Sequence, residues 1–204
     1  ARLRAAGLVI LAAANLSEWA NFRGRHSASG WSGVGGLTDN PWRSGHSVGG
    51  SSAGSGAALA ARYAPLAVGT ETDGSITCPS SFHAVVGLKP TVGVVSTVGV
   101  VPLSASQDSP GPMTRSVADA ALMQNVMSGP HPDDICSLPD KLAIPDVPED
   151  LKGFKVALSV DLGYVQVDPE VERNLRAAAD AFRALGCKVE EVDLGWDWGV
   201  LDCW

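Results

Sequence analysis

Apolar positions along the chain fall into short blocks with two different spacings. Residues 154–160 and 188–194 are apolar runs that predict strands, and residues 169–185 between them predict a helix that ends at Gly186. The apolar side chains of this helix recur with a period near 3.6, at Val171, Leu175, Ala178, Ala179, Phe182 and Leu185. A strand, helix, strand order is typical of α/β folds, so we predict a mixed twisted sheet covered by helices.

The earlier part of the chain alternates apolar blocks with glycine- and serine-rich stretches. Residues 8–11 and 66–69 read as short strands, the first of them buried. The alanine-rich segment 53–63 and the periodic segment 116–127 predict helices. Residues 108–112 carry two prolines and a glycine, which predict a rigid turn.

The composition is that of a folded protein with an acidic surface. The chain has 204 residues, 45% of them hydrophobic, which is enough for a core, and a formal net charge of −7. Lysine and arginine are scattered, so we expect neither a nucleic-acid face nor a membrane-binding face. The four cysteines lack zinc spacing, and we expect no metal or other cofactor. A cytoplasmic location is favoured.

The candidate chemistry lies in two serine-rich turns, at 49–56 and 70–75, which flank the predicted helix and strand between them. A serine hydroxyl becomes a nucleophile when a base removes its proton and nearby donors stabilise the oxyanion. Ser75 follows Thr72, Asp73 and Gly74 in a tight turn whose backbone amides suit the second task. The alternative is that Ser75 only caps the segment that follows it.

Two other interpretations of the glycine-rich turns remain open. Ser52 lies in a GxSxG pattern, which predicts a nucleophile elbow of an α/β-hydrolase-type esterase, yet an elbow needs a strand directly before the serine and residues 42–47 are polar and irregular. Such an esterase would also need a histidine downstream of Ser52. The candidates are His83 and His131, which we expect to be surface or hydrogen-bonded polar residues instead. A phosphate loop is disfavoured because neither GxxxxGK[ST] nor GxGxxG is present.

Several segments, taken in order and spacing, resemble the amidase signature family. They are Gly-Gly-Ser-Ser-Ala-Gly-Ser at 49–55, Gly-Thr-Glu-Thr-Asp-Gly-Ser-Ile at 69–76, Val-Gly-Leu-Lys-Pro-Thr at 86–91 and Asp-Ser-Pro-Gly-Pro-Met-Thr-Arg-Ser-Val-Ala-Asp at 108–119. The resemblance extends from Arg2 to about Met127. Residues 2–7, 15–23 and 30–32 look most like the peptide amidase branch of that family.

The resemblance implies a Ser, cis-Ser, Lys mechanism for amide hydrolysis. Ser75 matches the nucleophile that is acylated, and Ser51 matches the bridging serine, whose preceding peptide bond is cis in the family. A neutral lysine would draw the proton through Ser51. The oxyanion would be received by the backbone amides of Thr72, Asp73, Gly74 and Ser75, and the supporting loop would include Gly49, Gly50 and Ser52.

The chain departs from the family pattern at the base. The family's base lysine lies upstream of the serine pair, whereas every lysine here lies downstream, at Lys89, Lys141, Lys152, Lys155 and Lys188. A surface lysine is not neutral near pH 7 without burial or neighbouring positive charge. The resemblance thus leaves two hypotheses open, a part of an active amidase or an inactive remnant of the same fold.

We expect the 204 residues to be the central part of one domain that continues at both ends. Residues 1–127 would be the signature region, 128–150 a proline-rich loop, and 151–204 the strand, helix, strand unit. The expected partners are an amide substrate, with a peptide C-terminal amide favoured, and possibly the remainder of the same domain.

Overall fold

The computed structural model describes residues 1–24, 26–145 and 150–203. The chain divides into two compact units, Ala1–Asp146 and Val147–Trp204. Helices and strands occur in both, so the predicted α/β class is confirmed. No helix among these residues is long and apolar enough to cross a membrane.

The described residues of the first unit form four α-helices, five short strands and one 3-10 turn at Glu18–Asn21. The helices are α1 (Arg2–Ala5), α2 (Ala53–Ala60), α3 (Thr77–His83) and α4 (Val117–Met127). The strands are β1 (Trp31–Ser32), β2 (Gly36–Leu37), β3 (Leu66–Glu71), β4 (Val86–Gly87) and β5 (Ser109–Thr114). Strands β1 and β2 form an antiparallel pair.

The central sheet of this unit is antiparallel, in the order β3-β5-β4. The predicted turn at 108–112 is wrong, because Ser109–Thr114 forms the buried middle strand. Leu88 N donates to Pro112 O at 3.0 Å, so the Pro112 carbonyl points toward the β4 side. Proline has no backbone N–H, so this carbonyl is the only backbone hydrogen-bonding group of Pro112. Backbone groups alternate along a strand, so Pro110 faces the same side. The missing N–H groups of both prolines would point away from β3, so the backbone hydrogen bonds between β3 and β5 are not interrupted.

The helices differ from the prediction at one place. Helix α4 begins as predicted, with Ser116 Oγ accepting a hydrogen bond from Asp119 N at 3.1 Å. Helix α3 is absent from the prediction, and it contains a proline, Pro79. Pro79 is the third residue of α3, where a backbone N–H has no intrahelical partner to lose. Leu59, Ile76 and Met113 form a buried cluster between α2, α3 and β5.

The predicted buried strand at 8–11 is also wrong. Val9, Ile10 and Leu11 are 80%, 51% and 68% exposed, and the segment is not in a strand. Its sequence is that of a buried strand, but no described element packs over it or pairs with it. This mismatch between sequence and environment marks an uncovered apolar face.

The second unit has the predicted strand, helix, strand order. Strand β6 (Lys155–Leu158) pairs in parallel with β7 (Lys188–Glu191), and α5 (Pro169–Ala184) connects them. Asp168 caps α5 by accepting from Glu170 N at 2.7 Å, and Gly186 follows the helix with φ of 86°. A 3-10 helix, Trp198–Cys203, comes last.

Candidate active site

The two serine-rich turns lie side by side. Ser52 N donates to Ser75 O at 3.1 Å, which joins the turn before α2 to the turn after β3. Ser51 is 1% exposed and Ser75 is 7% exposed. Ser75 is therefore the more accessible of the two serines that the family pattern singles out.

Glycines leave room for the lead-in to Ser51. Gly49 has φ of 63°, and a Cβ there would meet Cys78 Sγ at 3.0 Å. A Cβ on Gly50 would lie 2.6 Å from Ser17 Oγ, which itself accepts from Gly30 N at 2.7 Å. The peptide bond between Gly50 and Ser51 is cis. The close approach of Ser17 to this loop thus requires glycine at position 50.

The Ser52 hydroxyl is committed to the backbone of β3. It accepts from Thr70 N and donates to Thr70 O, both at 3.2 Å. Ser55 Oγ, one helical turn later, donates to Val68 O at 2.8 Å. Within the described residues 38–52 no strand leads into Ser52, so the elbow geometry is absent there. Ser52 anchors α2 to the sheet rather than presenting a nucleophile.

The turn that carries Ser75 presents unused backbone donors. Gly74 has φ of 77°, which suits glycine in a tight turn. Among the residues that the structure describes, the backbone amides of 72–75 donate no hydrogen bond, and the Ser75 hydroxyl makes none. Free amides beside a hydroxyl are the arrangement that an oxyanion site needs.

A buried carboxylate that the sequence reasoning missed fixes one side of this turn. Glu71 is 5% exposed, and its Oε2 accepts from Ile76 N at 2.6 Å, Thr77 N at 2.7 Å and Thr77 Oγ1 at 3.0 Å. These amides begin α3, so Glu71 does the capping that was the alternative role for Ser75, and that alternative is wrong. No sequence signal marks this contact, because most of its donors are backbone amides.

A second buried carboxylate, also missed, holds the other side. Asp108 Oδ1 accepts from Thr72 Oγ1 at 2.5 Å, while Oδ2 accepts from Leu103 N at 2.8 Å and Ser104 N at 3.0 Å. Asp108 is 8% exposed. The Ser75 turn is therefore anchored at both ends by carboxylates that bond to backbone or hydroxyl donors.

The proton path is only partly present in the described residues. Ser51 Oγ is buried and has no hydrogen-bond partner among them. Lys89 Nζ contacts its neighbour Pro90 O at 3.4 Å. His83 is fully buried in α3, where burial lowers the pKa of its imidazole, and its Nδ1 lies 2.7 Å from Pro79 O. Ser51 Oγ is thus a buried hydroxyl, in the residue before the Ser52–Ser75 backbone contact, that no described group engages.

Comparison with known proteins decides the family. The protein-family model described as Amidase matches residues 1–196. The chain belongs to the amidase signature family. The match to the sequence motifs at 49–55 and 69–76 is thereby confirmed at the level of the family.

The relatives include peptide amidases and components of amidotransferases. The solved structure of PAM12A is 46% identical with a TM-score of 0.86, over 98% of this chain and 42% of that one. The peptide amidase of Stenotrophomonas maltophilia is 44% identical with a TM-score of 0.82, over 94% and 40%. A glutamyl-tRNA(Gln) amidotransferase subunit from Geobacter sulfurreducens is 42% identical over 95% of this chain. The chain spans 39% of the length of that relative.

Proposed function

We propose that this chain carries the nucleophile turn of an amidase that hydrolyses a carboxamide through an acyl-enzyme on Ser75. The observation that supports this most is the turn itself, in which Ser75 stands beside the unused backbone amides of 72–75. Glu71 and Asp108 hold that turn from both sides, so its donors are fixed before a substrate arrives.

The proposed reaction begins when Ser75 Oγ attacks the amide carbonyl carbon. Its proton passes to Ser51 Oγ as Ser51 gives its own proton to a neutral lysine, and the carbonyl oxygen becomes an oxyanion held by the 72–75 amides. The C–N bond then breaks, and the nitrogen takes the proton and leaves as ammonia or an amine. Water hydrolyses the acyl-enzyme by the reverse proton path and releases the acid.

The lysine of this scheme is the part supported only by the family resemblance. The lysines of the chain all follow the serine pair in sequence, and the family's base precedes it. We therefore assign the base to polypeptide outside these 204 residues. Ser51 Oγ, buried and without a partner in the described region, is the group that such a base would contact.

We propose a peptide C-terminal amide as the substrate, on the strength of 44% identity to a peptide amidase. The second candidate is a role within an amidotransferase, which 42% identity to the Geobacter sulfurreducens relative supports. The two candidates differ in whether the released nitrogen needs an acceptor molecule. A peptide amidase releases ammonia from a peptide amide by itself, whereas an amidotransferase component would pass the nitrogen to an acceptor.

The test measures ammonia released from a peptide amide by a polypeptide that contains these residues and an upstream family lysine. We expect turnover, its loss in Ser75→Ala, and full retention in Ser106→Ala, which changes an exposed serine. Turnover that survives in Ser75→Ala would refute the assignment of the nucleophile. An absence of turnover with every amide substrate would favour the inactive remnant.

A further inference from the structure

A loop beside the Ser75 turn is held at both of its ends by carboxylates. The loop comprises residues 96–104, and its middle part, 98–103, is exposed. Val101 of this loop lines a cleft together with Thr72 of the Ser75 turn. A loop with so little buried surface depends on the hydrogen bonds at its ends for a fixed position.

The first end of the loop is held by Asp134. Its Oδ2 accepts from Ser96 Oγ and Thr97 N, both at 2.8 Å, and from Thr97 Oγ1 at 3.5 Å. Its Oδ1 accepts from Cys136 N at 3.0 Å, so both oxygens are engaged. The hydrogen bond from the Thr97 backbone lowers the pKa of the Asp134 carboxyl, which is therefore ionised at neutral pH.

The segment that carries Asp134 is itself fixed to the first unit. Leu138 N donates to Gly93 O at 2.9 Å, and the Leu138 side chain packs against a buried cluster that includes Val94. Gly93 has φ of 85°, and a Cβ there would collide with Cys136 O, so the two backbones are in close contact. Asp134 therefore holds the loop from a fixed base.

The second end of the loop is held by Asp108, which also contacts the Ser75 turn. Its Oδ2 accepts from the amides of Leu103 and Ser104, and its Oδ1 accepts from Thr72 Oγ1. One carboxylate thus joins the loop to the turn. A shift of the loop would move the two donors on Oδ2, and with them the carboxylate that holds Thr72.

We propose that Asp134 is a positioning residue for the Ser75 turn and acts through the loop 96–104 and Asp108. The contacts run from Asp134 along the loop to Asp108, and from Asp108 to Thr72. Backbone donors stabilise an oxyanion best when they are fixed in advance, so loosening these contacts should slow the acylation of Ser75. The inference rests on the proposed function, because it assigns Asp134 an effect on that acylation.

The experiment compares Asp134→Asn with Asp133→Asn in a polypeptide that contains these residues and an upstream family lysine. Asparagine replaces one carboxylate oxygen by an NH2 group, which cannot accept a hydrogen bond, so Asp134→Asn breaks one side of the network. The Asp133 side chain is 79% exposed, which makes this neighbour a matched control. Ser96→Ala removes one donor from the loop and serves as a second, milder variant.

The rate and the final amount of fluorophosphonate adduct on Ser75 are measured separately. We expect Asp134→Asn to slow labelling by about threefold, Ser96→Ala by about twofold, and Asp133→Asn not at all. The final amount of adduct should be the same in every variant. An equal final amount means an equal folded fraction, so the slower rate then reflects the placement of the turn.

A double variant tests whether Asp134 acts through Asp108. Asp108→Asn alone should slow labelling by roughly tenfold. If both residues act along one path, adding Asp134→Asn should leave the loss near roughly tenfold, whereas independent effects would multiply to roughly thirtyfold.

Amide hydrogen exchange follows the same path without reference to Ser75 chemistry. In Asp134→Asn the amide of Thr97 should exchange faster by about threefold or more, and so should the amides of Leu103 and Ser104 at the other end of the loop. The Ile76 amide lies outside this network and should not change.

Several results would overturn the proposal. They are equal labelling rates in Asp134→Asn and Asp133→Asn, a multiplied loss in the double variant, and faster exchange that is confined to Thr97. A smaller final amount of adduct in Asp134→Asn would assign the residue to folding alone and would equally overturn it. Labelling that persists in Ser75→Ala would instead count against the proposed function, and the exchange at the far end of the loop would still decide whether Asp134 holds it.

Discussion

Removing the Glu71 carboxylate tests whether its hydrogen bonds to the start of α3 hold the Ser75 turn in place. Glu71 is 5% exposed, and a single oxygen accepts hydrogen bonds from Ile76 N, Thr77 N and Thr77 Oγ1. Glu71→Ala leaves two backbone donors without an acceptor. Ile76 is fully buried, and a buried donor left unsatisfied costs about 1–3 kcal/mol, whereas Thr77 is exposed and its amide loses a hydrogen bond worth about 1 kcal/mol. We therefore expect a loss of about 2–4 kcal/mol in the free energy of unfolding.

Glu71→Gln separates charge from geometry, because the amide oxygen can still accept these hydrogen bonds. Hydrogen bonds to a charged group contribute about twice as much as neutral ones, so this variant should lose only about 1–2 kcal/mol. The exposed Asp73, two residues further along the same turn, supplies the control, and Asp73→Asn should stay within about 0.5 kcal/mol.

Urea unfolding measures the free energies, and hydrogen exchange measures the local effect. Since each 1.4 kcal/mol is about a factor of ten, the amides of Ile76 and Thr77 should exchange roughly 100-fold faster in Glu71→Ala and roughly tenfold faster in Glu71→Gln. If Glu71→Ala matches Asp73→Asn in both assays, the carboxylate does not hold the turn and the reasoning fails.

Three further predictions follow from the same contacts. Ser52→Ala should destabilise the chain by about 1–3 kcal/mol in urea unfolding, because both backbone groups of Thr70 lose their partner, and a change under about 0.5 kcal/mol would contradict the anchoring role. Asp108→Asn should slow acylation of Ser75 by roughly tenfold, since its bonds to Thr72 and the 103–104 amides weaken; an unchanged acylation rate would contradict this. Burial lowers the folded pKa of His83 below 6.5, so the unfolded chain binds more protons just below that pH. Stability should therefore be full above about pH 6.5 and fall as the pH drops through it, and urea unfolding of His83→Gln should show a smaller fall.

Local sequence signals were sufficient to predict the elements that are determined by residues close to one another in the chain. The period of α5, the Ser116 cap of α4 and the apolar run of β3 each depend on a few neighbouring residues. The predictions failed where an element depends on a distant partner. Residues 109–114 form a strand because β3 and β4 flank them, and the pair Pro110 and Pro112 reads as a turn until those partners are known.

The candidate site also contains residues that the sequence predicted and residues that it missed. The turn chemistry singles out Ser75, and the resemblance to the family adds Ser51 as the bridging serine. Glu71 and Asp108 were missed because most of their donors are backbone amides, which have no sequence signature. The sequence also predicted a buried strand at 8–11, which holds for the composition of that segment but not for its described environment.

The central claim is that Ser75 is the acylated nucleophile, and covalent labelling tests it most directly. A polypeptide that contains these residues and an upstream family lysine is treated with a fluorophosphonate, and the adduct is located by peptide mass spectrometry. We predict one adduct, on Ser75, that is lost in Ser75→Ala and retained in Ser52→Ala. An adduct on Ser52, or labelling that persists in Ser75→Ala, would contradict the account.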